Sequence, residues 1–106
     1  MKIVWSEGAY ADYDEILDYL IRDFGLQSAR DFQAGLDYNI GMLKEFPLVG
    51  YLEYTNPKTR IVYRSLSCKQ YKIVYAIMSD RLIIVSLWNN RRNPKNLRRL
   101  LKTHGQ

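Results

Sequence analysis

The sequence predicts an α+β domain, with a helical hairpin packed on a mostly antiparallel sheet in the order β-α-α-β-β-β and a short basic helix at the end. Three observations carry that expectation. Apolar residues recur at three- and four-residue steps up to residue 57 or so and alternate beyond it, which is the switch from helical to strand periodicity. The polar connections Ser67-Cys68-Lys69 and Ser79-Asp80 are short enough that the strands on either side must pair antiparallel. The 106 residues, 47% of them hydrophobic and 25% charged, suit one core, so residues 1–106 are expected to form a single domain.

Each element follows from local chemistry. Lys2 to Trp5 is a short apolar run suited to a first strand, and Ser6 is placed to cap the helix after it. Tyr13, Ile16, Leu17, Leu20, Ile21 and Phe24 form one face of a helix over Glu7 to Phe24. Asp12, Asp14, Glu15 and Asp18 sit in its earlier turns, where carboxylates favour the helix dipole, and are read as a solvated face. Gly25 suits the left-handed backbone that ends a helix. Ala29, Phe32, Leu36, Ile40 and Leu43 mark a second helix, Leu26 to Phe46, stopped by Pro47. Gly35 and Gly41 weaken that helix and are read as letting the two helices approach closely. Pro47 to Lys58 reads as a loop. Arg60 to Leu66, Gln70 to Met78 and Arg81 to Trp88 then read as three strands rich in Ile, Val and Tyr. Asn93 and Pro94 open the last helix, whose body is Lys95 to Lys102.

Charge is divided unevenly along the chain. Residues 1–53 hold ten of the eleven carboxylates and four basic residues, a net charge of −6; residues 54–106 hold twelve basic residues and Asp80, a net charge of +11. One basic face of this kind suits nucleic acid, a ribosome or an acidic protein. The remaining chemistry is sparse. Cys68 is the single cysteine and is read as a small packing residue, compatible with a reducing compartment. His104, the single histidine, is read as a frayed tail residue. There is no metal-ligand cluster, no Cys/His or His/Asp pair and no phosphate-binding glycine loop, so no cofactor is expected. No apolar run reaches the ~20 residues of a membrane span. The N-terminus lacks the apolar region of a secretory signal, and a cytoplasmic location is expected.

Alternation sorts the middle strands. Tyr71, Ile73, Tyr75 and Ile77 share one face of their strand and are assigned to the helical hairpin. Arg60, Arg64 and Lys72 are assigned to the opposite face, with Arg91 and Arg92 closing one end, so that the cations converge on a groove fit to grip phosphates. Both faces of the last two strands carry apolar residues, which makes the sheet a central layer.

Read in order, Ala11-Asp12-Tyr13-Asp14-Glu15-Ile16-Leu17-Asp18-Tyr19-Leu20, Phe24-Gly25, Ser28-Ala29, Phe46-Pro47-Leu48-Val49-Gly50, Tyr63-Arg64, Tyr71-Lys72-Ile73-Val74-Tyr75 and Ile84 to Pro94 resemble RelE/ParE-type toxins of bacterial toxin–antitoxin modules over nearly the whole chain. The resemblance implies a growth-inhibiting toxin neutralised by a cognate acidic antitoxin, with a homodimer or a heterotetramer with antitoxin among its assemblies. It implies a target that is either DNA gyrase, as for ParE-like members, or ribosome-bound mRNA, cleaved without metal, as for RelE-like members. A non-toxic nucleic-acid-binding domain is the further alternative, but the sequence lacks the aromatic pattern of an RNA-recognition motif and helix-turn-helix spacing. By resemblance, Arg64, Lys72, Arg91 and Arg92 are the candidate catalytic cations, and Arg60, Asn89, Lys95, Arg98 and Arg99 the candidate target-binding residues. Two positions depart from the family pattern. Asn89 stands where many members carry histidine, and an amide is neither acid nor base near neutral pH. Lys72 stands where an arginine is expected, keeping the charge but not the planar fork. Both departures weigh against cleavage, in which Tyr71 or a lysine could substitute, and the helical hairpin together with Asn89 tilts the expectation slightly toward the gyrase-directed branch.

Overall fold

A computed structural model describes residues 1–104. The elements are β1 (Lys2–Trp5), α1 (Glu7–Phe24), α2 (Leu26–Glu45), β2 (Tyr51–Thr55), β3 (Val62–Cys68), β4 (Tyr71–Met78), β5 (Arg81–Asn89) and α3 (Pro94–Thr103). The strands form one sheet in the order β1-β5-β4-β3-β2; β1 runs parallel to β5 and the other neighbours are antiparallel. Among the described residues no helix is long and apolar enough to cross a membrane.

The hairpin forms as its periodicity dictates. Ser6 Oγ accepts from Ala9 N at 3.1 Å and donates to Val85 O at 3.1 Å, so one hydroxyl caps α1 and ties it to β5. Gly25, at φ +95°, joins α1 to α2 in a conformation that side chains avoid. Ile16, Leu20, Ala29, Phe32, Leu36 and Leu43 bury against Tyr71, Ile73, Tyr75, Leu82, Ile84 and Leu87 of the sheet. Neither Gly35 nor Gly41 serves the helix–helix approach expected of it. A side chain on Gly35 would meet Cys68 Sγ and Lys69 Cε of the β3–β4 turn, and one on Gly41 would meet open space.

The second sheet face carries Tyr63, Val74, Ala76, Val85 and Trp88, and Leu97 and Leu101 of α3 cover it. The sheet is therefore the middle of three layers, and the helices are not confined to one side of it. His104 belongs to this layer and is not a frayed tail: its ring packs edge-on to Tyr63, with Nδ1 3.0 Å from the Tyr63 hydroxyl. Burial pushes the His104 ring below its ordinary pKa.

Strand bounds differ from expectation in several places: β3 runs on to Cys68, β4 begins at Tyr71 and β5 reaches Asn89, and two further differences have a visible cause. β2 lies inside the segment read as a loop, because its register with β3 shifts between Leu52 and Tyr54 and that irregularity erases the alternation. β3 begins at Val62 because Arg60 takes φ +66° in a turn. Asn56 builds that turn: its carbonyl accepts from Arg60 N, its Oδ1 from Lys58 N and Thr59 N, and its side-chain amide donates to Lys102 O.

Candidate functional site

The cations expected to converge are distributed over separate places. Arg64 pairs with Tyr75 across β3 and β4, and directly paired residues share a face, so Arg64 lies on the hairpin side and not opposite it. There its Nη1 donates to Gly50 O at 3.2 Å. Lys72 pairs with Trp88 and lies on the α3 side, where it meets Glu53 Oε1 at 2.5 Å. Ser65 Oγ donates to the same oxygen at 2.7 Å. Burial raises the Glu53 carboxyl, but the bonds from Lys72 and Ser65 and the charges of Lys72 and Arg98 outweigh it and hold the group below its ordinary value. Arg60 is exposed and lies in the turn before β3, outside the strand.

The remaining residues gather beyond the end of β5. Asn89 Oδ1 accepts from Arg91 N at 2.9 Å, which bends the chain out of the strand. The Arg92 guanidinium stacks 4.0 Å from the centroid of the Trp88 ring, a cation–π contact that closes the edge of the α3-side core. Arg91 is exposed, as are Lys95, Arg98 and Arg99 on α3.

Asp12 is a structural side chain that the periodicity hid. It is half-buried, unlike its exposed neighbours Asp14, Glu15 and Asp18. Between β4 and β5 the register shifts, from Tyr75 opposite Ile84 to Val74 opposite Ser86. β1 follows β5 only as far as Ile84, leaving the Leu87 N–H without a strand partner. Asp12 Oδ2 accepts from Leu87 N and from Ser86 Oγ, both at 3.0 Å. Burial raises the Asp12 carboxyl; the two hydrogen bonds and the charge of Arg92 oppose that rise without cancelling it. An open groove of about 680 Å³ lies beside this clasp, with Asp12, Glu15 and Asp18 of α1 on one wall and Tyr71, Asn89 and Arg92 among the residues on the other.

The clasp makes a prediction. Asp12→Ala should destabilise the protein by about 1–3 kcal/mol, because it strands a backbone N–H and a buried hydroxyl. Asp12→Asn keeps an acceptor and sheds a desolvated charge, so it should fall within about 1 kcal/mol of wild type. A carboxyl raised in the folded state favours folding most below its unfolded value, and that advantage fades as pH rises through the folded one. The Asn variant should therefore gain on wild type as pH rises from 3.8 toward neutrality, as urea denaturation at several pH values would measure. Equal loss in both variants, independent of pH, would refute the clasp.

Comparison with known proteins decides the family. The profile of the ParE toxin of the type II toxin–antitoxin system, parDE, matches residues 3–94. The chain belongs to the ParE toxin family. It is the toxin component of a type II toxin–antitoxin system, and an antitoxin is its partner. The fold is similar to that of a chain from the chromosomal ParDE system of P. aeruginosa, with a TM-score of 0.60 and 17% identity over 84% of this chain and 95% of that one. No curated protein sequence matches. In this toxin the matched region ends at Pro94, so nearly all of α3, with Lys95, Arg98 and Arg99, lies beyond it.

Proposed function

We propose that this toxin arrests growth in the cytoplasm by binding a protein target, DNA gyrase, and does not cleave mRNA. What carries the reading is the dispersal of the cations. Cleavage of a phosphodiester needs several charges and an acid or base within reach of one phosphate. Here Arg64 is spent on the carbonyl of Gly50, and Lys72 is paired with Glu53 on the opposite face of the sheet. Arg92 is stacked on Trp88, and Asn89, at the position that carries histidine in many relatives, holds a backbone amide. His104 packs on Tyr63 at the end of α3.

Neutralisation by an acidic antitoxin segment fits the open edge of β2. Tyr51 and Leu52 are 80% and 63% exposed there, beside exposed Phe46, Leu48 and Val49. An extended peptide can add to such an edge through its backbone and anchor apolar side chains in the patch, while the basic half of the toxin attracts its charge.

Two assays on the purified toxin test the target. It should inhibit supercoiling by purified gyrase at stoichiometric concentration, and primer extension on ribosome-bound mRNA should reveal no new ends. Ribosome-dependent cleavage with supercoiling untouched would overturn the proposal and establish the nuclease reading.

A further inference from the structure

α3 places its charges with unusual regularity. Lys95, Arg98, Arg99 and Lys102 stand at i, i+3, i+4 and i+7, one stripe along the helix, while Leu97 and Leu101 on the opposite side are 2% and 0% exposed. The stripe spans about 10 Å of helix axis, the length of roughly three phosphate steps along one strand of a duplex. Exposed Arg91 precedes the helix, and the turn that carries exposed Arg60 is bonded to the last turn of α3 through Asn56.

Arg91, Lys95, Arg98 and Arg99 are not neutralised by an ion pair of the described residues; those pairs are Arg22–Asp23 and Lys72–Glu53. α3 itself carries no acid. Arg98 does face the field of Glu53, but that carboxylate is already bonded by Lys72 and Ser65.

From this we infer that the exposed face of α3 is a binding site for the phosphate backbone of duplex DNA. The choice of ligand follows from what accompanies the charge. Single strands are held largely by stacking on aromatic side chains. The exposed aromatics, Tyr10, Phe24, Tyr38, Phe46 and Tyr51, all lie on the hairpin or at the β2 edge, and the exposed large apolar residue of α3 is Leu100. An acidic protein partner would also need apolar anchors, which the stripe lacks. A rigid row of lysine and arginine is what backbone contact requires, since guanidinium forks engage phosphate oxygens irrespective of sequence. The inference does not rest on the gyrase reading, and its test reads no growth phenotype.

Fluorescence anisotropy of the full-length toxin with a labelled 20-base-pair duplex, over a range of salt concentrations, measures the site. Four phosphate contacts predict a slope of log K against log salt of about −3 to −4. The double variant Arg98→Ala/Arg99→Ala should weaken binding about tenfold or more and flatten the slope by about two, while keeping the melting temperature of wild type. Arg98→Lys/Arg99→Lys should restore the slope, and Arg22→Ala/Arg30→Ala, on the hairpin, should change neither quantity. A duplex bound no better than a single-stranded RNA of equal length or a polyglutamate peptide would overturn the inference. So would a slope that the double alanine variant leaves intact.

Discussion

Gly50→Ala should lose about 3–5 kcal/mol of stability, enough to lower the melting temperature of a domain this size by roughly 15–25 °C. A methyl group there would sit 2.6 Å from the Tyr75 hydroxyl oxygen and 2.7 Å from the backbone oxygen of Ser65. The hydroxyl can move only by breaking what it holds. Tyr75, fully buried, donates to Pro47 O at 2.7 Å and accepts from Gly50 N at 3.0 Å, so one phenol pins both ends of the turn between α2 and β2. Arg64 adds a third tie through Gly50 O. Tyr75→Phe should cost about 1–3 kcal/mol, because it leaves a buried N–H and a carbonyl without partners. The two changes should not add: deleting the hydroxyl relieves one clash of the methyl and leaves the other, so the double variant should lose less than the sum. Thermal melts and denaturant titrations of the four proteins measure this directly. A Gly50→Ala protein as stable as wild type would show that the turn is held by something else. Because the turn carries Leu48 and Val49 and leads into β2, both variants should also weaken antitoxin binding while leaving the α3 face intact.

Arg64 shows why the fold was legible in the sequence while the site was not. Which residues share a face within one strand follows from alternation, and the hairpin side of β4 is read correctly on that basis as Tyr71, Ile73, Tyr75 and Ile77. Which residues share a face across two strands depends on the turn. Read as a three-residue turn, Ser67-Cys68-Lys69 places Arg64 opposite Lys72. The turn is Lys69-Gln70, entered at φ +57° by Lys69, and it pairs Cys68 with Tyr71 and Arg64 with Tyr75. The partner of Arg64 moves by three residues, and any odd shift of register inverts every assignment, and with it the convergence of the cations. Nothing in the composition of that turn signals a positive φ at a lysine. The bulge in β5 hides Asp12 similarly: a carboxylate in the second turn of a helix looks solvated until an unpaired strand N–H is known to face it. Gly25, Ser6, Asn93 and Pro94 carry local chemistry that does not depend on distant register, and all four sit where the sequence places them.

Leu101→Ala should cost about 2–5 kcal/mol and act first on α3. This helix has ten residues, and a helix that short is marginal without tertiary contacts. Its stripe of like charges makes matters worse, each pair opposing the helix by about 0.2–0.5 kcal/mol. The N-terminus is secured by Asn93, whose Oδ1 accepts from Lys95 N at 3.0 Å, with Pro94 in the first turn. The C-terminal half depends on burial of Leu97 and Leu101 against Tyr63, Val74, Ala76 and Trp88. Removing most of the Leu101 side chain should release the last turn, and with it the Asn56–Lys102 bond and the seat of His104 on Tyr63. Hydrogen exchange should then show amides 98–104 losing protection while those of β4 keep it. Protection retained across α3 would mean that the helix does not rely on this contact. Acid should loosen the same turn in the wild type. Burial lowers the His104 pKa, so the stabilisation it contributes is complete above its unfolded value of 6.5 and is lost as pH falls through the folded one. The comparison with Arg98→Ala/Arg99→Ala separates order from charge: Leu101→Ala should lose duplex affinity together with amide protection, whereas the double arginine variant should lose affinity with protection unchanged.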